Sequence, residues 1–243
     1  MMISNISYKL SLFADYMDIA YTNENIFKIM SAFTGENILP GVISEVMQNG
    51  NTSKRLQFIS ENGAIVVTIL SSRIDVEITS LDKSGFTGEE IEQLSEKLQE
   101  IIVKIYKAFS DKIPDANRLA WFVTYMNFEL SSEEKKNYRN TFVKQIPFYE
   151  SNMTDEFMVR YSGTKDITIN GILENVNAIT TISYIVFNQG IDAEIDGYKI
   201  DFDINTWQGN RKNRFNTDNL SEFVNEARKV QSELEVDFIN DYR

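Results

Sequence analysis

The segment LQFISENGAIVVTILSSRIDVEI (Leu56–Ile78) aligns without a gap with ISYIVFNQGIDAEIDGYKIDFDI (Ile182–Ile204), 126 residues further along the chain. Seven aligned positions are identical, including the Ile-Asp dipeptides that begin at Ile74 and Ile200. Apolar and polar residues alternate through the end of both segments, which is typical of strands with one buried face. Because the same shift holds over several predicted elements, we predict a tandem duplication.

The two halves of the chain show the same order of elements around that repeat. Residues 1–113 predict a strand, a helix, four strands joined by Gly-containing turns, and a long helix. Residues 114–243 predict the same order. We therefore expect two α+β repeats, each β-α-β-β-β-β-α, that form an antiparallel curved sheet with its helices on one face. The segments predicted as strands in the second repeat, one more than the unit contains, are Arg118–Leu130, those within Phe157–Tyr161 and Asp166–Glu174, then Ala178–Asn188, Ile191–Asp196 and Lys199–Trp207.

This duplicated pattern resembles the fold of the TATA-box-binding protein and its structural relatives over nearly the whole chain. The resemblance lies in the order of elements rather than in sequence motifs. It implies two pseudo-symmetric halves whose sheets join, with the long helices on the convex side. A shared fold does not by itself imply a shared function.

Four short segments are similar to a sporadically distributed prokaryotic family of uncharacterised proteins of about this length. That resemblance implies an origin in mobile-element or antiviral defence operons, and it brings no catalytic residues to this chain. The segments are Ile38–Glu45, Arg73–Val76, Arg118–Ala120 and Asp201–Ile204.

Composition excludes several classes of chemistry. The chain has 36 acidic and 24 basic residues, a net charge of −12, and neither histidine nor cysteine. It therefore has no Ser-His-Asp or Cys-His nucleophile, no Cys/His zinc site and no disulfides. A metal would need oxygen ligands, which favour Mg, Mn or Ca. The sequence assigns no cofactor and no metal.

The hydropathy pattern shows no targeting or membrane segment. Met1–Tyr21 alternates polar and apolar residues, unlike a signal peptide, and the apolar stretch Ala64–Leu70 is too short to span a bilayer. We therefore expect a cytoplasmic protein without membrane contact. The bias toward Ile, Asn, Lys and Glu indicates an AT-rich bacterial or phage genome.

Strand alternation predicts an acidic sheet face. Asp75 and Glu77 point away from the apolar residues of their strand, and Asp201 and Asp203 do the same in the aligned strand. A sheet that binds duplex DNA needs Lys, Arg and Asn on this face, so we do not expect direct DNA binding.

Further carboxylates precede that strand. Asp192, Glu194 and Asp196 alternate with apolar residues and are predicted to share the acidic face with Asp201 and Asp203. Cross-strand neighbours lie about 5 Å apart, so such carboxylates could hold two divalent cations for phosphoryl transfer. A solvated polar strand face explains the same pattern and is the favoured interpretation.

A basic loop joins the last strand to the last helix. Trp207–Phe215 (WQGNRKNRF) carries Arg211, Lys212 and Arg214 between two aromatic residues. Such a loop could contact a phosphate or an acidic partner, or it could be a solvated connection.

Together these observations predict a non-enzymatic protein-interaction component of a bacterial or phage complex, one that binds an operon-encoded partner protein through the acidic sheet face. The alternatives are an acidic decoy that mimics DNA and inhibits a DNA-binding protein, and an Mg- or Mn-dependent phosphoryl-transfer enzyme. The sequence leaves open whether the chain forms a homo-oligomer. The candidate partner-binding residues are Asp75, Glu77, Asp192, Glu194, Asp201, Asp203, Arg211, Lys212 and Arg214.

Overall fold

The computed structural model describes residues 4–47, 49–82, 84–127, 130–143, 147, 157–188 and 194–239. In the first half of the chain the elements are β1 (Ser4–Phe13), α1 (Asn23–Ala32), β2 (Ile38–Val46), β3 (Thr52–Ser60), β4 (Ile65–Ile69), β5 (Arg73–Thr79) and α2 (Gly88–Ala108). In the second half they are β6 (Arg118–Asn127), α3 (Ser132–Phe142), β7 (Met158–Ile169), β8 (Ile172–Asn188), β9 (Glu194–Thr206), a 3-10 turn (Thr217–Asn219) and α4 (Leu220–Phe238).

The nine strands of the described residues belong to one antiparallel sheet, so the protein has the expected α+β fold. The strand order is β2-β3-β4-β5-β1-β6-β9-β8-β7. The first strand of each half lies at the centre, where β1 pairs with β6 and Leu10 lies opposite Trp121. The sheet therefore joins the described strands of residues 1–113 to those of residues 114–243.

The hydrophobic core lies between the sheet and the two long helices. Helix α2 packs on β1 and β5, and α4 packs on β6, β7 and β9. The Trp121 indole of β6 donates a hydrogen bond of 2.8 Å to the Gln231 side chain of α4, and its ring lies 5.5 Å from that of Tyr8. One parity of each central strand supplies this core: Tyr8, Leu10, Leu12, Ile74, Val76, Ile78, Leu119, Trp121, Val123, Tyr125, Ile200, Phe202 and Ile204.

The strands of the second half differ from the prediction. The predicted strand Asp166–Glu174 is split by a turn at Asn170 and Gly171, whose φ angles are 50° and 74°. Strand β9 is continuous across the turn that was expected near Gly197, and it merges two predicted strands. The described part of residues 114–243 thus has the order β-α-β-β-β-α, while residues 189–193 lie outside it.

Hydrogen-bonding side chains fix where the helices begin. Thr87 and Glu90 form a reciprocal capping box at α2, and Ser131 and Glu134 form another at α3, as the Ser-x-x-Glu pattern predicts. The Thr22 hydroxyl caps α1. Among the helices of the described ranges, none is long and apolar enough to cross a membrane.

Candidate functional site

The face of the sheet opposite the helices carries polar and charged side chains on its four central strands. We call it the polar face. Its residues, which alternate with those of the core and lie side by side in the strand register, are Ser7, Lys9, Ser11 and Phe13 of β1, Arg73, Asp75 and Glu77 of β5, Arg118, Ala120, Phe122, Thr124 and Met126 of β6, and Lys199, Asp201, Asp203 and Asn205 of β9.

The structure places four of the candidate carboxylates on the polar face, and three of them accept a hydrogen bond. Ser7 donates to Glu77 at 2.7 Å, and Thr124 donates to Asp201 at 2.7 Å. Asp203 accepts a bond of 3.0 Å from the Asn205 amide.

Two of these carboxylates are also in ion pairs along their own strands. Arg73 pairs with Asp75 at 2.8 Å, and Lys199 pairs with Asp201 at 2.8 Å. The side chains of Asp75 and Asp201 are consequently only 13% and 14% exposed.

The polar face is electrically balanced rather than acidic. Four acidic residues stand beside four basic ones, because β1 contributes Lys9 and β6 contributes Arg118, and neither strand adds an acidic side chain to this face. The expectation of an acidic face is therefore wrong for these strands. That expectation rested on the side chains of β5 and β9 alone, whereas β1 and β6 lie between these two strands.

The predicted convergence of carboxylates is also wrong. Asp196 lies on the helix side of the sheet, where it accepts hydrogen bonds from Lys135 of α3 and from the Tyr184 hydroxyl, which lower its pKa. Because side chains alternate along continuous β9, Asp196 and Asp201 lie on opposite faces.

Two carboxylates of that prediction remain. Asp192 lies outside the described residues, and Glu194 opens β9, two positions before Asp196. Within the described ranges no group of three acidic side chains is arranged to hold a metal ion.

The most distinctive feature of the polar face is a stack of Arg118 on Phe13. The guanidinium carbon lies 3.5 Å from the centre of the ring, on the neighbouring strand. Nη1 makes one long contact of 3.4 Å with Gln208, and the buried Nε has no hydrogen-bond partner within the described part of the chain. Burial lowers the pKa of this guanidinium, Asp203 opposes the shift and Arg73 adds to it. Arg118 is thus held in position by the ring of Phe13, with its Nε unpaired.

A second cation and ring lie across the same two strands. The Lys9 ammonium is 4.5 Å from the centre of the Phe122 ring. Such contacts contribute about 0.5–1 kcal/mol when exposed and more when water is excluded. Sequence reasoning missed both pairs because they form only when β1 lies beside β6.

The basic loop divides into one structural arginine and two exposed cations. Arg214 binds Glu174 through two hydrogen bonds, of 2.7 and 3.0 Å, and also donates to the Asn210 carbonyl at 3.0 Å. It therefore fixes the loop against β8. Arg211 and Lys212 are exposed beside it.

Next to this loop is a cleft of about 530 Å³. The Trp207 indole, 53% exposed, lies against the backbone of Gly209, where an added Cβ would come within 2.4 Å of the ring. Since Glu174 and Arg214 neutralise each other, the walls carry no net charge. The lining residues are Ile169, Ile172, Leu173, Glu174, Asn175, Trp207, Gly209, Asn210, Arg214, Phe215 and Asn219.

Known proteins add no further identification. No protein-family model matches the chain, and a search of curated proteins finds no match.

Proposed function

We propose that the protein is a non-enzymatic interaction component and that a partner protein docks on its polar face. The observation that carries this proposal is the Arg118 guanidinium, stacked on Phe13 with its Nε unpaired. Arginine and aromatic side chains are the residues that most often dominate binding energy at protein interfaces. A guanidinium already fixed on a ring loses little side-chain entropy on binding, and its planar fork fits a carboxylate of the partner.

The balance of charge on the polar face favours a protein over nucleic acid as the partner. Four acidic and four basic side chains alternate on the central strands, in a chain whose net charge is −12. Binding to phosphates needs an excess of Lys and Arg, and mimicry of DNA needs a continuous array of acids. A mixed surface is instead suited to a partner with complementary charges of both signs. The decoy and the phosphoryl-transfer enzyme therefore rank below this proposal.

We also propose that the fold arose by the duplication that the sequence predicts. The order β5-β1-β6-β9 is symmetric about the β1–β6 pair, and each half continues from its last central strand into a long helix. The aligned strands Arg73–Thr79 and Lys199–Asn205 are the flanking members of this arrangement. The polar face would then lie across the pseudo-twofold axis, as the resemblance to the TATA-box-binding protein fold implies.

Affinity capture with the full chain tests the docking proposal. The partner that the sequence predicts is encoded in the same bacterial or phage operon, so the chain is expressed as bait with its neighbouring genes. Wild type is compared with Arg118→Ala, which removes the stacked guanidinium, and with Arg118→Lys, which keeps the charge but loses the planar fork. Lys107→Ala is the matched control, because this exposed lysine lies on α2, on the helical side of the sheet.

We expect wild type and Lys107→Ala to retain a stoichiometric partner. Arg118→Ala should lose at least about tenfold in affinity and Arg118→Lys should fall between, since buried arginine anchors often contribute 2 kcal/mol or more. Thermal unfolding of each variant shows that the fold is intact. Retention of the partner by Arg118→Ala at wild-type affinity, or repeated absence of any partner, refutes the proposal. Competition by duplex DNA would support the decoy instead.

A further inference from the structure

Exposed apolar side chains are concentrated around one edge of the sheet, on both of its faces, since Leu39 projects from the face opposite Val42 and Val46. Of the fifteen large hydrophobic residues that the structure records as exposed, seven fall between residues 17 and 46. Scattered exposed apolar residues are ordinary, but a contiguous group indicates an interface. We call this group the β2 patch; it consists of Met17, Tyr21, Phe27, Met30, Leu39, Val42 and Val46.

The β2 patch surrounds a strand at one end of the sheet. Among the described residues, β2 pairs with β3 on one side only. Pro40 lacks an N–H, so the stretch that can accept another strand is Gly41–Val46. Val42 and Val46 are 48% and 74% exposed there.

The single charge of β2 is already neutralised. Glu45 accepts a hydrogen bond of 2.8 Å from Arg55, whose side chain is 2% exposed. Strand β2 contains no lysine, although a charged residue on an edge strand is a common way to prevent it from pairing with another chain. The opposite edge strand, β7, carries Arg160, Lys165 and Asp166.

Helix α1 extends the same apolar surface. Its Lys28 faces the C-terminal end of α2, where it lies 3.7 Å from Asp111 and 5.9 Å from the ring centre of Phe109, both just after the helix. At 100° per residue, Met30 and Phe27 lie on the flank away from α2. They are 41% and 68% exposed, and α1 contacts β2.

We propose that the β2 patch binds a second copy of this chain, with the two β2 strands antiparallel about a twofold axis. An edge strand is self-complementary, because its free N–H and C=O groups match those of an identical antiparallel strand. Seven side chains that are each about half exposed offer roughly 700 Å² per subunit, close to the ~800 Å² per partner of a stable interface.

Charge also favours a second copy at this edge. Two chains with a net charge of −12 repel each other, but the β2 patch has no uncompensated charge. Because β7 is charged, pairing of β2 with β2 closes a dimer rather than a growing filament.

Sedimentation velocity of the full chain from about 1 to about 100 μM tests this proposal, a range suited to a micromolar Kd. We expect a species of twice 28.0 kDa that persists in high salt, where repulsion between the acidic subunits is screened. Val46→Lys should raise the dissociation constant at least about tenfold, because it puts a hydrated ammonium group on the edge that has to pair. Met158→Lys is the matched control, because Met158 is 72% exposed on β7 and lies outside the patch.

Hydrogen exchange of the Gly41–Val46 amides separates strand pairing from other contacts. These amides should exchange more slowly at high protein concentration in wild type and Met158→Lys, but not in Val46→Lys. A monomer throughout the range, or a dimer that Val46→Lys leaves unchanged, overturns the proposal. Protection that appears only with a co-expressed protein would assign the edge to a foreign strand and also overturn it. Arg118→Ala should leave the dimer intact, so this proposal and the docking proposal fail independently.

Discussion

Glu45→Gln should strongly destabilise the fold because it removes the charge that compensates a buried arginine. The Arg55 side chain is 2% exposed, and its Nε donates to Glu45 at 2.8 Å. Its other recorded partners are the carbonyl and the sulfur of Met17, at 3.3 and 3.4 Å. Glu45 also accepts from the backbone N–H and the hydroxyl of Ser71, at 3.0 and 2.7 Å. This cluster therefore joins β2, β3 and two loops.

The expected loss follows from the burial of both groups. Removing one partner of a buried ion pair costs about 3–5 kcal/mol, and the residual Met17 contacts place this case near the lower end, about 3 kcal/mol. For a chain of this length that corresponds to a fall in Tm of roughly 6–12 °C. Urea unfolding followed by circular dichroism measures the change. It is run at several protein concentrations, so that any self-association is separated from the stability of the subunit.

Two comparisons make the prediction refutable. Glu24→Gln removes a carboxylate that is 67% exposed and pairs with Lys28 and Lys112, so it should cost no more than about 1 kcal/mol. The double variant Glu45→Gln/Arg55→Met leaves no uncompensated charge and should be more stable than Glu45→Gln alone. If Glu45→Gln unfolds within about 1 kcal/mol of wild type, Arg55 does not depend on Glu45 for its charge balance.

Two further predictions concern the cleft and pH. Gly209→Ala should displace the Trp207 indole and shift its fluorescence emission. Gly163→Ala is the control, because a Cβ there meets nothing within 4 Å. An emission spectrum of Gly209→Ala identical to that of wild type would contradict this prediction. Burial raises the pKa of Glu45, but hydrogen bonds from Arg55 and Ser71 bring it below its ordinary value of 4.5. Its contribution is therefore present above about pH 4.5 and is lost as the pH falls through the folded-state pKa, so urea midpoints between pH 7 and 3 should fall less steeply in Glu45→Gln.

Local sequence signals predict the first half of the fold well and the second half less well. The Asn62-Gly63 dipeptide predicts a hairpin turn between β3 and β4, and Gly63 has the positive φ of 76° that such a turn needs. The same dipeptide occurs at Asn170-Gly171, inside the predicted strand Asp166–Glu174. The apolar and polar residues around it alternate as in a strand, so the turn was not predicted. That turn could have been found from the sequence.

The continuity of β9 could not have been found in this way. Gly197 and Tyr198 resemble a turn, yet the structure keeps both in the strand, opposite Ile185 and Tyr184 of β8. Tertiary contacts explain this, because the Tyr198 hydroxyl donates to the Lys135 carbonyl of α3 at 2.7 Å. Such packing overrides the local preference of glycine. It also moves Asp196 to the helical side, which separates the predicted carboxylate cluster.

The composition of the polar face depends on the pairing of β1 with β6, which the pattern of residues within each strand does not specify. Alternation within β5 and β9 correctly assigned Asp75 and Asp201 to the face away from the core. Which strands lie between them is a question of topology, and the answer adds Lys9 and Arg118 to that face. Non-local pairing of strands therefore determined the charge of the surface, although the parity of β5 and of Lys199–Asn205 in β9 was predicted correctly.

The excess negative charge of the protein must lie away from the polar face, and much of it is on the helical layer. Helices α2 and α4 together carry ten acidic and five basic residues, whereas the polar face carries four of each. Like-charged molecules are therefore repelled most strongly from the helical side. The two surfaces that we propose for binding, the polar face and the β2 patch, are both without net charge. A net charge of −12 on the chain thus keeps most molecules apart by repulsion. The polar face and the β2 patch, which carry no net charge, can still come into contact with a partner protein and with a second copy.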